Sequence, residues 1–206
     1  MSRLSWGIVA AGAAVFALVA SQILVPEVGE RKVVDRLTEN GGSAEVTLGA
    51  IPALRLLWGD GERFAVSARD LDLDLHEPVD VFDRLDGFSI VDVEISNSTA
   101  GPVDLTNFQL TRDAPAPYHL VSTGTTSGQR LLDYGLGGIE VPGETLLDTI
   151  LDDVLGAAET TVPVELDMAL TSDEGRVRVV SGGGTVAGVP TGPLAELITS
   201  AVVIRL

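Results

Sequence analysis

The residues best placed to do chemistry lie in SARDLDLDLHEP, residues 67–78, where Asp70, Asp72 and Asp74 alternate with Leu71, Leu73 and Leu75. Carboxylates at that spacing could hold a divalent cation, or they could form the wet face of a strand. A calcium loop of the D-x-[DN]-x-[DN]-G type needs a glycine at its sixth position to curl the chain, and a distal Glu. Here the sixth position is Leu75, and the leucine alternation holds the segment extended. Alternate side chains of an extended strand stand about 7 Å apart, too far for three carboxylates to converge on one ion. A solvated strand face is therefore expected, with no metal.

Other chemistry is sparse. The only histidines, His76 and His119, fall on separate strand-end segments and read as exposed residues rather than catalysts. There is no G-x-S-x-G elbow, no G-x-x-x-x-G-K-[ST] loop and no H-E-x-x-H helix. Cysteine is absent, which removes thiol nucleophiles, thiolate metal sites and disulfides. The glycine run in VVSGGGTVAG, 179–188, is not followed by the Lys or the Ser/Thr-led helix of a phosphate loop, so a hairpin between two strands is expected. A net charge of −17 argues against nucleic acid as a partner, because phosphate binding needs clustered Lys and Arg. The expectation is a protein that is not an enzyme and needs no cofactor.

The elements that would position any site start with an export segment. Arg3 precedes an uncharged run from Leu4 to Val25, ended by Pro26. That is close to the roughly 20 residues needed to cross a bilayer. Val19-Ala20-Ser21 is only a weak cleavage signal. Residues 1–25 are thus expected to be a signal anchor or signal peptide with the N-terminus inside. Residues 26–206 would form a single extracytoplasmic domain, single-pass at the cell membrane or secreted to the envelope after cleavage.

Beyond Pro26, VGERKVVDRLTENGG reads as a short amphipathic helix with Val33, Val34 and Leu37 on one face and Gly41-Gly42 as the stop. Strands follow at 43–50, 63–75, 88–96, 102–110, 117–122 and 160–170, with VRVV, TVAGV and the terminal VVIRL closing the list. Their period-2 alternation gives each strand one wet and one apolar face, as in antiparallel sheets. Residues 143–157 and 193–201 read as amphipathic helices, and 80–87 as a turn or two of helix. Hydrophobic content is 45% but aromatics only 4%, so the core is aliphatic. Phe64, Val66 and Ala68 are apolar at even positions, whereas Leu71, Leu73 and Leu75 are apolar at odd ones. The inward face must change parity at Arg69-Asp70, through a bulge or strand break that adds twist. The fold class expected is α+β, an antiparallel sheet packed on amphipathic helices.

The stretch VTLGAIPALRLLWGDGERFAVSARDLDLDL, 46–75, resembles the signature of the LmeA family of phospholipid-binding proteins from actinobacteria. The matching positions are Pro52, Leu54, Leu56, Leu57, Gly59, Val66 and the Asp-Leu alternation, with a basic helix before them and Gly188-Val189-Pro190 near the end. The resemblance implies a curled antiparallel sheet, akin to half of a tubular lipid-binding domain, after an N-terminal transmembrane or signal helix. It also implies a non-catalytic lipid-binding protein of the cell envelope that holds acyl chains of a phospholipid or other long-chain lipid. Candidate groove or lip residues are then Ile51, Leu54, Leu57, Trp58, Leu71, Leu73, Leu75, Leu147, Ile150 and Leu151. Arg55, Arg63 and Arg69 would have to supply any headgroup contact. The competing reading is a scaffolding envelope module with a dry core, binding a protein partner and no ligand.

Overall fold

One face of helix α1, residues 21–37, is apolar, and it buries Val33 and Leu37 while Val34 packs at their edge. The computed structural model of the protein describes residues 21–73, 82–127, 129–130, 161–173, 176–186 and 189–190. The expected export segment, residues 1–25, therefore lies largely outside the described residues, as do the helices expected at 143–157 and 193–201. Among the described residues no helix is long and apolar enough to cross a membrane. Helix α1 runs through Pro26 instead of starting after it. Proline lacks the N–H that would bond the Gln22 carbonyl, which loosens the helix without ending it.

The strands are β1 (Ser43–Gly49), β2 (Gly61–Arg69), β3 (Asp72–Leu73), β4 (Phe88–Ala100), β5 (Val103–Asp113), β6 (Tyr118–Ser127), β7 (Thr161–Asp173), β8 (Arg176–Val186) and β9 (Val189–Pro190). A 3-10 helix, Ala53–Trp58, joins β1 to β2, and a single turn, α2 (Asp83–Asp86), precedes β4. The nine strands of the described residues form one curled, unclosed sheet in the order β1-β2-β4-β5-β6-β7-β8-β9, with β3 also paired to β4, and the strand expected in the terminal VVIRL lies outside the described residues. The result is a mostly-sheet α+β fold.

The sheet departs from the expected antiparallel form at one place. Strands β2 and β3 both run parallel to β4, from Gly61↔Phe88 to Leu73↔Ala100. Alternation reports that a strand has one apolar face but not which way its neighbour runs. A parallel pair needs only a connection long enough to return the chain, and the fourteen residues between Leu73 and Phe88 are long enough. The glycine run is a second correction. Gly182–Gly184 do not turn a hairpin but lie inside β8, opposite Leu166, Asp167 and Met168 of β7. A Cβ on Gly182 (φ 85°) would overlap the Asp167 carbonyl, so glycine lets the two backbones close up beside a register slip at Ala169/Leu170.

The parity change expected at Arg69-Asp70 is present, and it is not confined to one strand. Buried positions on β2 are Phe64, Val66 and Ala68, then Leu71 and Leu73 past the break. On β4, after the buried Phe88 at its start, they are Val91, Val93 and Ile95, then Ser98 and Ala100; on β5 they are Val103 and Leu105, then Phe108 and Leu110. The switch falls at Asp70 (φ 57°) and Asn97 (φ 48°), while β5 slips register against β6 between Leu105 and Asn107. Register from β2 through β3 to β4 is unbroken, from Arg69↔Ser96 to Asp72↔Thr99, so the strands bend together. The slip in β5 absorbs the bend, because Leu120 on β6 and Val164 to Leu170 on β7 keep one parity throughout. Ser98 satisfies the backbone at the fold line, its Oγ accepting from the Leu71 N–H at 3.0 Å and donating to the Ser96 carbonyl at 2.8 Å.

The inner face so defined is a single buried cluster running from Val46 on β1 to Leu170 on β7. The described helical segments add Val33, Leu37, Phe82 and Leu85 to it.

Candidate functional site

The 3-10 helix sorts its side chains by its threefold period, in which residues i and i+3 eclipse. Ala53 and Leu56 take the inward side, the first buried and the second packed against the core. Leu54 is half-buried, whereas Leu57 and Trp58 are 65% and 77% exposed, and Ile51 just before the helix is 81% exposed. Trp58 therefore does not cap the core. Ile51, Leu57 and Trp58 form an apolar lip at the β1–β2 connection.

A charged clamp holds this lip. Arg55 donates to both carboxylate oxygens of Asp60, from Nε at 2.9 Å and Nη2 at 2.8 Å, and its Nη1 donates to Glu62. The other Glu62 oxygen accepts the Ile51 N–H at 2.7 Å, which closes residues 51–62 into a ring of contacts. Hydrogen bonding from Arg55 holds the Asp60 carboxyl below its usual range and raises the guanidinium in turn. Arg55 is thus committed to two carboxylates of its own chain.

Helix α1 lies along edge strand β1. Glu30 Oε1 accepts the Leu48 N–H at 2.9 Å, and Gln22 Oε1 accepts the Ala53 N–H at 3.1 Å. The second contact sets the start of the described helix directly beside the lip. There Ile23, Leu24 and Val28 are also exposed, at 67%, 58% and 54%.

The remaining candidates do not converge. Arg63 and Arg69 project from β2 on the outer face, where Arg63 faces Asp92 at 3.7 Å and Arg69 Nε donates to Ser43 Oγ at 3.2 Å. The three arginines thus form no shared cluster. Leu71 and Leu73 lie on the opposite, inner face, 2% and 0% exposed. Asp70 and Asp72 are exposed, as the wet-face reading expects. Leu75, Leu147, Ile150 and Leu151 lie outside the described residues, and so do Asp74 and His76. Among the described residues no group of three His, Asp or Glu is placed to hold a metal. His119 Nε2 meets Asp167 at 3.0 Å across β6 and β7, but both are well exposed, and the pair is a surface contact. His119 borders a shallow depression of mixed character, about 470 Å³, that Ile90, Asp92, Glu94, Thr111 and Pro117 also line.

Sequence reasoning missed one polar cluster at the lip end of the inner face. Asp86 Oδ1 accepts from the Tyr118 hydroxyl at 2.9 Å and from Arg112 Nη1 at 3.3 Å, and Ser172 Oγ donates to its other oxygen. Arg112 Nη1 lies 2.7 Å from the Tyr118 oxygen, and the Phe82 ring packs at a 37° tilt on the Tyr118 ring, centroids 4.3 Å apart. Burial, aided by the Asp86 charge, pushes the Tyr118 hydroxyl pKa well above its ordinary value. The signal was available: Arg112 follows Phe108 and Leu110 at period two, and Ser172 follows Met168 and Leu170. Both positions face inward by parity. The cluster ties α2 to β5, β6 and β7 and closes one end of the apolar face.

No family model, no curated protein and no solved structure matches the chain.

Proposed function

We propose that the protein is a non-catalytic lipid-binding component of the cell envelope that receives acyl chains on the inner face of its curled sheet. The observation that carries this reading is the form of that face. It is continuous and largely aliphatic from β1 to β7, and the sheet that bears it is bent along Asp70–Asn97 and left unclosed. Val, Leu and Ile surfaces match acyl chains by dispersion and exclude water without directional bonds. The resemblance of residues 46–75 to the LmeA family points the same way. So does the uncharged run from Leu4 to Val25, which would put the domain on the extracytoplasmic side of a membrane.

A second reading, a scaffolding module with a dry core, is favoured by the sealing of the inner face, since Leu73, Leu120 and Leu170 are 0% exposed. Native mass spectrometry of the full chain, released from detergent, separates the two. Lipid binding predicts a retained phospholipid that survives purification and is recovered by solvent extraction. A folded chain that carries no lipid from any preparation would support the dry core.

A further inference from the structure

We infer that the end of the sheet bearing Ile51, Leu57 and Trp58 rests on the surface of a lipid bilayer, held by apolar contact rather than by charge. The inference deepens the lipid-binding reading but uses different residues, because the lip is outside the inner face. Three observations meet here.

Isolated exposed apolar side chains are ordinary, but a cluster is not. The lip and the exposed Ile23 and Leu24 of helix α1 are joined by the Gln22–Ala53 hydrogen bond. The sheet register places two more uncharged features at the same end. They are Ile90, 39% exposed, and the β5–β6 turn Ala114-Pro115-Ala116-Pro117, whose last three residues are exposed.

The occupant follows from the chain that leads into this patch. Residues Leu4 to Val25 carry no charge, and Ile23 and Leu24 are the end of that run. A run of that length matches a bilayer core. If it lies in a membrane, the helix emerges within one hydrogen bond of the lip, which puts Trp58 at headgroup depth, where indole is favoured.

The charges nearby indicate how the contact is made. Arg55 is neutralised by Asp60 and Glu62, and Arg31 by Glu27. Arg63 faces Asp92 and Arg178 pairs with Asp173, so among the described residues the cations at this end are largely offset by carboxylates, and a net charge of −17 gives no surplus to attract anionic lipids. The seating is apolar and shallow, since the exposed Asp83, Arg84 and Asp113 stay in water.

The test uses the full chain with Trp6→Phe, which leaves Trp58 as the sole tryptophan, in phosphatidylcholine nanodiscs containing brominated phosphatidylcholine. The expected result is a blue-shifted Trp58 emission, quenched more by bromines near the glycerol than by bromines near the chain ends. The quenching should persist in about 1 M salt, where the Debye length is only about 3 Å. The Ile51→Ser/Leu57→Ser variant should melt at the same temperature and lose the quenching. Trp58 emission that stays water-like in a bilayer-bound chain would overturn the inference. So would quenching that requires phosphatidylglycerol and disappears in salt. Quenching without any lipid retained in native mass spectrometry would defeat the lipid-binding reading and leave the docking intact.

Discussion

Replacing Asn97 tests whether the curl is held by a few left-handed residues. Its φ of 48° lies where a Cβ meets the following carbonyl, which costs roughly 1–2 kcal/mol for an ordinary residue. Asparagine tolerates this region better than most, and valine, branched at Cβ, tolerates it least. Asn97 is exposed, so Asn97→Val changes little packing and should read the backbone directly. The expected destabilisation is about 1–2 kcal/mol, or about 2–8 °C in melting temperature for a domain near 200 residues. Asn97→Gly removes the Cβ clash while adding unfolded-state entropy, so it should stay within about 1 kcal/mol of the parent. Glu94→Val, at an exposed and ordinarily extended position on the same strand, is the control and should shift stability by no more than about 0.5 kcal/mol. Urea unfolding of the three variants provides the comparison. If Asn97→Val and Asn97→Gly unfold together, the bend is not set by local backbone conformation, and the parity switch must have another origin. Asp70, at φ 57°, should repeat the series.

Asp86→Ala should destabilise by about 2–3 kcal/mol in chemical denaturation, because it strands Arg112 and Tyr118, while Asp86→Ala combined with Arg112→Ala should lose less than the sum of the two. The raised Tyr118 pKa makes a signed prediction. Its contribution is present below the unfolded-state value of about 10 and fades as pH rises beyond it, since only the unfolded chain ionises there. Tyr118→Phe should remove that alkaline loss, which melting curves taken across the alkaline range would show. Leu73→Ala, at a fully buried position past the bend, should cost about 2–5 kcal/mol by urea unfolding.

Much of this architecture is legible in the residues, for reasons that differ by element. The helix face of Val33, Val34 and Leu37 is readable because a 3.6-residue stripe has one interpretation. The break at Arg69-Asp70 is readable because period two is strict, and a change of parity cannot be hidden by packing. That β4 and β5 break along the same line was also latent, at Ile95/Ser98 and Leu105/Phe108, but it becomes visible only when register places those positions side by side. The direction of β2 against β4 was not legible, because alternation is the same for either neighbour. Gly182–Gly184 misled because glycine signals both turns and close backbone approach, and only the facing β7 chain decides between them. A tryptophan beside Gly59, as Trp58 is, can cap a core or face outward, and the sequence pattern does not choose between the two. The exposed lip resolves it.

Photocrosslinking with a phospholipid that carries a diazirine midway along one acyl chain probes acyl-chain binding most directly. The full chain in a bilayer would be irradiated, digested and mapped by mass spectrometry. Binding on the inner face predicts adducts on Leu71, Leu73, Leu120 and Leu166, at positions that face away from Asp72 and Glu165. Adducts confined to Ile51, Leu57, Trp58 and the start of helix α1, with none on the inner face, would contradict it.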